Sequence, residues 1–276
     1  MPVRIVQSKQ NPRMKELRRS LAGPARGEPI GIEGPHLLHE ALRANLHIHC
    51  VFVSNEKEAA AHAQALPAET EILLVPEDIL NAALTTETPQ PIAALVDPPQ
   101  WTWNHILGTE QKLSPLIVVL AALQDPGNLG TILRSAEAFG ATGVLSLPGT
   151  VSEWNPKTVR ASAGSVFRMP VMTATPPDAF TRLRASGIEV LVAAAKSALP
   201  ADRARLAHAT AFLIGNEGNG VPEEIARLAD GAITIPCPGP VESLNAAVAA
   251  SVLLYEASRQ RSGETNGDSN HRREQP

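Results

Sequence analysis

Apolar residues in this chain come in short blocks. Most blocks break into a loop of Gly, Pro, Asn or Asp, and positions spaced three or four apart then follow. In the first third, blocks at 30–33, 47–53, 71–75 and 92–96 read as strands. Helices are expected after Gly34-Pro35, with Leu37, Leu38, Ala41 and Leu42 on one face, and over 56–66 and 76–84. Strands alternating with helices predict a small α/β domain over 1–97. The segment Asp97-Pro-Pro-Gln-Trp-Thr-Trp-Asn104 breaks this pattern, so 98–114 reads as a linker whose Trp101 and Trp103 pack against a domain face.

The second pattern is more apolar. Residues 115–123 form a nearly continuous hydrophobic run, which suits a parallel strand covered on both faces. A helix follows with Ile132, Leu133, Ala136 and Phe139 inward, closed by Gly140. Strands are expected at 144–147 and 188–194, a helix at 177–187, and a short helix carries Lys157 and Arg160. Two further strand–loop–helix units start at Ala211 and Ile233, and the last helix runs from about Leu244 to Arg259. The domain is therefore read as 115–260, and the polar segment 261–276 as a disordered tail.

Composition removes several functional classes. The formal net charge is −4, so the whole molecule does not attract nucleic acid indiscriminately. Aromatic residues are 3% of the chain, which disfavours base stacking as the main recognition device. The two cysteines, Cys50 and Cys237, give neither a disulfide framework nor a metal-ligand spacing. His36, His39, His47 and His49 cluster in sequence, but only Cys50 stands near to complete a ligand set, so no metal site is expected. There is no secretory h-region and no apolar run of membrane-spanning length, so no membrane association and a cytoplasmic setting are expected. Locally the balance differs. Lys9, Arg13, Lys15 and Arg18 lie in a basic N-terminal segment that reads equally as a solvated helix face or as a phosphate contact.

Three loops carry candidate chemistry. They follow expected strands, so they can meet at the C-terminal edge of one sheet, where α/β proteins bind ligands. They bring Asn128 with Arg134, Asn216 with Glu217, and Ser243 with Asn245. No Gly-x-Ser-x-Gly elbow and no Walker lysine are present. The order Gly215-x-x-Gly218-x-Gly220 reverses the dinucleotide fingerprint, which disfavours a nicotinamide-dependent oxidoreductase.

Three segments resemble the three motifs of the SpoU, or TrmH-type, RNA ribose methyltransferases of the SPOUT class. They are Asp125-Pro-Gly-Asn-Leu-Gly-Thr-Ile-Leu-Arg-Ser-Ala-Glu-Ala-Phe-Gly140, Leu213-Ile-Gly-Asn-Glu-Gly-Asn-Gly-Val-Pro222, and Ile235-Pro-Cys-Pro-Gly-Pro-Val-Glu-Ser-Leu-Asn-Ala-Ala-Val-Ala249. The stretch Asn155-Pro-Lys-Thr-Val-Arg-Ala-Ser-Ala-Gly164 matches the pattern between the first two. Residues 1–97, with Ile32-Glu-Gly-Pro-His-Leu-Leu-His-Glu-Ala-Leu42, more weakly resemble the ribosomal-protein-like substrate-binding domain of that family. Cys237 departs from it, since a larger apolar residue such as Met usually stands there.

The resemblance implies a parallel-sheet domain whose end is tucked into a deep trefoil knot, a rare exception to the rule against knots. It implies a homodimer with the site near the subunit interface. It also implies S-adenosylmethionine held in a bent shape by main-chain groups at Leu213, Gly215, Ile235 and Leu244. The implied reaction is methyl transfer to a ribose 2′-hydroxyl in RNA; the extra domain points to ribosomal RNA, with transfer RNA as the alternative substrate. A sugar hydroxyl is a poor nucleophile at neutral pH. By similarity Arg134 activates it, either as a base or by polarising it, the free guanidinium pKa of about 12.5 making a base unusual. Asn128, Glu217, Ser243 and Asn245 position the reacting groups, while Lys157 and Arg160 join Lys9, Arg13, Lys15 and Arg18 in steering phosphates. The competing reading is a catalytically silent RNA-binding protein of the same fold.

Overall fold

The structure, a computed structural model, describes residues 3–25, 27–86, 90, 92–110, 113–194, 198–216, 218–241 and 243–270. In chain order the first elements are β1 (Val3–Ile5), α1 (Pro12–Ala22), β2 (Ile30–Glu33), α2 (Pro35–Arg43), β3 (Ile48–Val53), α3 (Glu56–Ala63), β4 (Glu71–Leu74), α4 (Glu77–Asn81) and β5 (Ile92–Val96). They are followed by α5 (Trp103–Ile106), β6 (Leu116–Leu120), α6 (Pro126–Ala138), β7 (Gly143–Ser146), α7 (Pro156–Ala161), β8 (Val171–Thr173), α8 (Pro176–Ala185), β9 (Glu189–Ala193) and β10 (Leu199–Pro200). The last are β11 (Thr210–Ile214), α9 (Glu223–Ala226), β12 (Gly231–Thr234) and α10 (Ala246–Asn270). The chain divides into two compact units, residues 1–100 with 152–168, and residues 101–151 with 169–276.

The first unit is built on a five-stranded mixed sheet in the order β1-β4-β3-β5-β2. Helix α1 begins with the Asn11 side chain capping the Arg13 N–H and with Pro12 in its first turn. Its Met14, Leu17 and Leu21, spaced by three and four, pack on Cys50, Phe52, Leu73 and Leu95. Burying each such side chain contributes about 1.5–3 kcal/mol. Gly31 lets α1 come this close: a Cβ there would sit 2.8 Å from Leu21 Cγ and 2.9 Å from the Leu21 nitrogen.

The 152–168 segment was expected to belong to the second domain, yet it packs with the first unit. The cause is visible at Glu40, a carboxylate with 5% exposure. It accepts hydrogen bonds from Arg168 at 2.7 Å and from Arg43 at 2.9 Å. Gly164, at φ +91°, lies against it, and a Cβ there would be 2.5 Å from Glu40 Cβ. Burial alone would push the Glu40 carboxyl up, but the two guanidinium partners outweigh it and hold the group below its ordinary value. A carboxyl depressed by folding stabilises the protein above its unfolded-state pKa, and the contribution is lost as pH falls through the folded value. Glu40→Gln is therefore expected to destabilise this unit by about 1–3 kcal/mol at neutral pH. In thermal melts the gap between wild type and variant should close in acid; a pH-independent gap would rule out the charge as its cause.

The second unit is a seven-stranded sheet in the order β10-β12-β9-β11-β6-β7-β8, and every pairing is parallel. Its central strands β6 and β11 are buried along their whole length, as their unbroken apolar sequences require. The expected linker is part of this unit from residue 101 on. Ile106 of α5 is fully buried, and Thr142 Oγ1 donates to its carbonyl at 2.7 Å. Trp103 packs on the same core with Arg182 stacked 4.9 Å from its ring centroid, in line with the packing role expected of it.

Helix α10 lies against α6, with Ser135 Oγ and Ser251 Oγ 2.7 Å apart. It runs beyond Arg259, where a tail without order was expected from 261. Arg261 donates to the carbonyls of Ser114 at 2.7 Å, Pro115 at 2.9 Å, Leu206 at 3.1 Å and His208 at 2.6 Å. Those acceptors hold the helix past the position where its apolar pattern fades. Residues 271–276 lie outside the described residues.

Candidate functional site

The loops after β6, β11 and β12 come together at the C-terminal edge of the parallel sheet. Asn216 Nδ2 donates to the carbonyl of Ala122 at 3.1 Å, which ties the β11 loop to the β6 loop. Asn245 Nδ2 donates to Asn128 Oδ1 at 3.1 Å, which ties the β12 loop to the start of α6. Each Asn has a second duty. Asn245 Oδ1 caps α10 by accepting from the Ala247 and Val248 N–H groups at 2.9 and 3.2 Å. Asn216 Oδ1 accepts from the Gly218 N–H at 2.8 Å, and its backbone exchanges two 2.9 Å hydrogen bonds with Gly220. Gly215 is pressed against that small hairpin. A Cβ there would lie 2.1 Å from the Gly220 carbonyl carbon and 2.3 Å from the Val221 nitrogen.

Two hollows flank this cluster of loops. One is a cavity of about 580 Å³ bounded by the ends of β9, β11 and β12 and by the first turns of α10. Gly215, Ile235, Ser243 and Leu244 line it, as do Ile214 and Cys237. Its size lies within the range of about 300–1,000 Å³ of small-molecule sites. Its wall mixes apolar side chains with loop glycines. That suits a ligand with an apolar, a planar and a charged part, as S-adenosylmethionine has. The other hollow is open and polar, about 600 Å³, lined by Gln124, Asp125, Pro126, Asn128, Asn216 and Asn245. Asn216 borders both.

Most of the residues nominated from sequence meet here, but not all. Asn128 and Asn245 bond one another, and Gly215, Ile235, Ser243 and Leu244 share the cavity. Leu213 was nominated for its main chain; its side chain is fully buried in the core beneath, one residue before the lining Ile214. Strand alternation explains this, since successive side chains leave opposite faces of the sheet. Glu217 lies outside the described residues. Arg134 is exposed on α6, borders neither hollow, and its side chain forms no hydrogen bond or ion pair with any described residue. Asn216 is the residue that sequence reasoning undervalued. Its position at the exit of β11, beside the nominated Glu217, was the available signal.

The basic residues divide in the same way. Lys9 and Lys15 are exposed. Arg13 is drawn into ion pairs with Glu16 at 2.9 Å and Glu71 at 3.6 Å, and the Glu16 hydrogen bond raises its pKa further. Arg18 donates to the Lys9 carbonyl. Lys157 is exposed in the first turn of α7, and Arg160 Nη1 donates to Thr85 Oγ1 at 2.9 Å.

Cys237 offers a direct probe of the cavity. It is exposed there, whereas Cys50 is fully buried and desolvation pushes its thiol up to about 12. A thiol reagent should therefore modify Cys237 alone in the native protein, and saturating S-adenosylmethionine should slow that modification severalfold. Unchanged labelling with the donor present would show that it binds elsewhere.

The SpoU rRNA Methylase family pattern matches residues 115–255, and the pattern described as RNA 2′-O ribose methyltransferase substrate binding matches residues 32–102. The 23S rRNA (guanosine(2553)-2′-O)-methyltransferase RlmP of Bacillus subtilis (strain 168) is 35% identical over 224 residues, covering 81% of this chain and 86% of that protein. A 23S rRNA (uridine(2479)-2′-O)-methyltransferase of Streptomyces viridochromogenes is 33% identical over 202 residues, covering 71% of this chain and 69% of the relative. Among solved structures, the SpoU methyltransferase AviRb from Streptomyces viridochromogenes, in complex with the cofactor AdoMet, superposes with a TM-score of 0.79. It is 28% identical and covers 91% of this chain and 98% of its own.

Proposed function

The chain belongs to the SpoU rRNA methylase family, and from that premise we propose how its residues carry out methyl transfer to RNA. It is an S-adenosylmethionine-dependent RNA 2′-O-methyltransferase. Ribosomal RNA is the substrate class of its named relatives, and we assign the same class here. The observation that carries this reading is the pair of hydrogen bonds, Asn216 to Ala122 and Asn245 to Asn128, that gathers three loops far apart in sequence around one cavity.

Gly215, Ile235, Ser243 and Leu244 would hold the donor in the 580 Å³ cavity. When bound, S-adenosylmethionine supplies an electrophilic methyl group on a positively charged sulfur. The chain's own residues then have two tasks. The first is to bring a ribose hydroxyl to that cavity, and the polar hollow beside it, with the linked Asn128 and Asn245 amides, suits a sugar edge. The second is to make the hydroxyl nucleophilic, which we assign to Arg134, acting on the hydroxyl and gripping a neighbouring phosphate. Glu217 is assigned a positioning role by resemblance. Lys9, Lys15, Lys157 and Arg160 supply phosphate contacts on the first unit, while Arg13 is committed to its glutamates.

Arg134 borders neither hollow within one protomer, so the reading includes a homodimer. Val248, Val252 and Tyr255 are exposed at 47%, 37% and 54% on one face of α10, spaced by four and three. Exposed Thr131, Arg134 and Ala138 are spaced in the same way on α6, which packs beside it. An apolar stripe of this kind marks a protein–protein surface. A second copy seated on it would carry its Arg134 to the first protomer's cavity. The knot is part of the same reading. Support comes from the path of the chain: β12 lies two strands from β11, yet the segment after it returns to α10, which touches β11 and packs on α6. Among the described residues no helix is long and apolar enough to cross a membrane. From its rRNA-modifying relatives we infer that the enzyme works in the cytoplasm.

The test is incubation of the full chain with tritiated S-adenosylmethionine and either 23S ribosomal RNA or transfer RNA. Alkali-resistant label in the ribosomal RNA is expected. Label on a base, or none in either RNA, would overturn the reading.

A further inference from the structure

We propose that His47, His49 and Asp97 form a surface site for a divalent transition-metal ion of the zinc class. The proposal is independent of methyl transfer. His47 immediately precedes β3 and His49 is its second residue, where the register against β5 shifts; both imidazoles reach Asp97, while Ile48 and Cys50 are buried. Full burial removes Cys50 from the ligand set and leaves two nitrogens needing a third partner. The sheet supplies it. β5 runs antiparallel to β3 with Val96 opposite Ile48, and the Asp97 N–H donates to the His47 carbonyl at 2.9 Å. The carboxylate is thereby fixed across from both rings.

His47 Nδ1 lies 2.9 Å from Asp97 Oδ2, and His49 Nε2 lies 2.6 Å from Oδ1. The ligand atoms of the three residues all fall within 4.8 Å of one another. A tetrahedral zinc with bonds of about 2.0–2.1 Å needs its ligand atoms about 3.3 Å apart. Small side-chain rotations therefore suffice, and all three residues are exposed enough to make them, at 53%, 31% and 47%. Two imidazoles and one carboxylate suit zinc, cobalt or nickel; magnesium and calcium prefer sets made of oxygen alone. The open side leaves room for water in the remaining position. The ion would clamp the start of β3 to the end of β5, the last strand of the first unit's sheet before the chain passes to the second unit.

The experiment uses the tag-free full chain, stripped with a chelator and then titrated with Zn²⁺ against a chromophoric competitor. Thermal melts and Co²⁺ visible spectra accompany the titration. One ion per chain is expected, with a zinc-dependent rise in the melting transition and a Co²⁺ spectrum of low coordination number. His49→Ala and Asp97→Asn should each weaken binding at least tenfold and abolish the thermal shift, with S-adenosylmethionine binding unchanged to show that the variants fold. Failure of the wild type to retain zinc would reduce the cluster to two imidazole–carboxylate hydrogen bonds and overturn the proposal. Unchanged affinity in the double variant His47→Ala/His49→Ala would do the same, by placing the ion elsewhere.

Discussion

Arg134→Ala is expected to lower the rate of methyl transfer by about 10²- to 10⁴-fold, the usual worth of a positioned acid–base or charge-stabilising group, and to leave S-adenosylmethionine affinity unchanged. The split follows from placement. Arg134 does not border the cavity that would hold the donor, so its loss removes nothing from that wall. It is exposed and holds no carboxylate among the described residues, so no ion pair has to be broken before it meets an RNA phosphate or hydroxyl. Equilibrium binding of the donor and single-turnover methylation separate the two quantities. Loss of donor binding together with rate would return Arg134 to the cavity wall, and a variant as fast as wild type would remove it from the chemistry. Arg134→Lys distinguishes the two forms of the role. A lysine keeps the charge but not the planar fork, so activity within about tenfold of wild type would favour electrostatic activation over bidentate contact with a phosphate.

How much of this was legible in sequence depended on whether a signal was local. β6 and β11 announced themselves, because a strand covered on both faces has to be apolar at every position. α1 was read as a solvated helix face or a phosphate contact, since Arg13, Lys15, Arg18 and Arg19 drew attention from Met14, Leu17 and Leu21 at helical spacing. β1 and β8 have three residues each, and β1 is exposed throughout, so neither leaves a period to read. The loops of the site were legible as Gly- and Asn-rich breaks after strands. Their closure was not, because it rests on Asn216 reaching Ala122 and Asn245 reaching Asn128, 94 and 117 residues away. The same blindness hid Asp97 from the histidines and Glu40 from Arg168, pairs joined by sheet register or by a buried charge. For the side chain of Leu213 the limit was different. A motif names a segment, and only the strand's alternation says which of its residues face the ligand.

Gly215→Ala should cripple donor binding. The added Cβ would meet the Gly220 carbonyl carbon at 2.1 Å, the Val221 nitrogen at 2.3 Å and the Gly220 oxygen at 2.4 Å. These are backbone atoms, which cannot swing aside as the end of a flexible side chain can. The hairpin would have to open, breaking the paired Asn216–Gly220 hydrogen bonds and shifting Asn216 from Ala122. Overpacking of this kind costs about 1–3 kcal/mol, which corresponds to about 5- to 150-fold in affinity at about 1.4 kcal/mol per decade. Gly239→Ala is the control for folding, since a Cβ there meets nothing within 4 Å and the residue does not line the cavity. Wild-type affinity in Gly215→Ala would mean that the hairpin does not form the donor's wall. The variant also tests the dimer. Mixed with Arg134→Ala and allowed to exchange subunits, it makes heterodimers. If Arg134 serves the cavity of the opposite protomer, each heterodimer joins one intact cavity to one intact Arg134 and recovers a working site. If Arg134 serves its own cavity, the mixture stays as inactive as either variant alone, because no protomer then carries both.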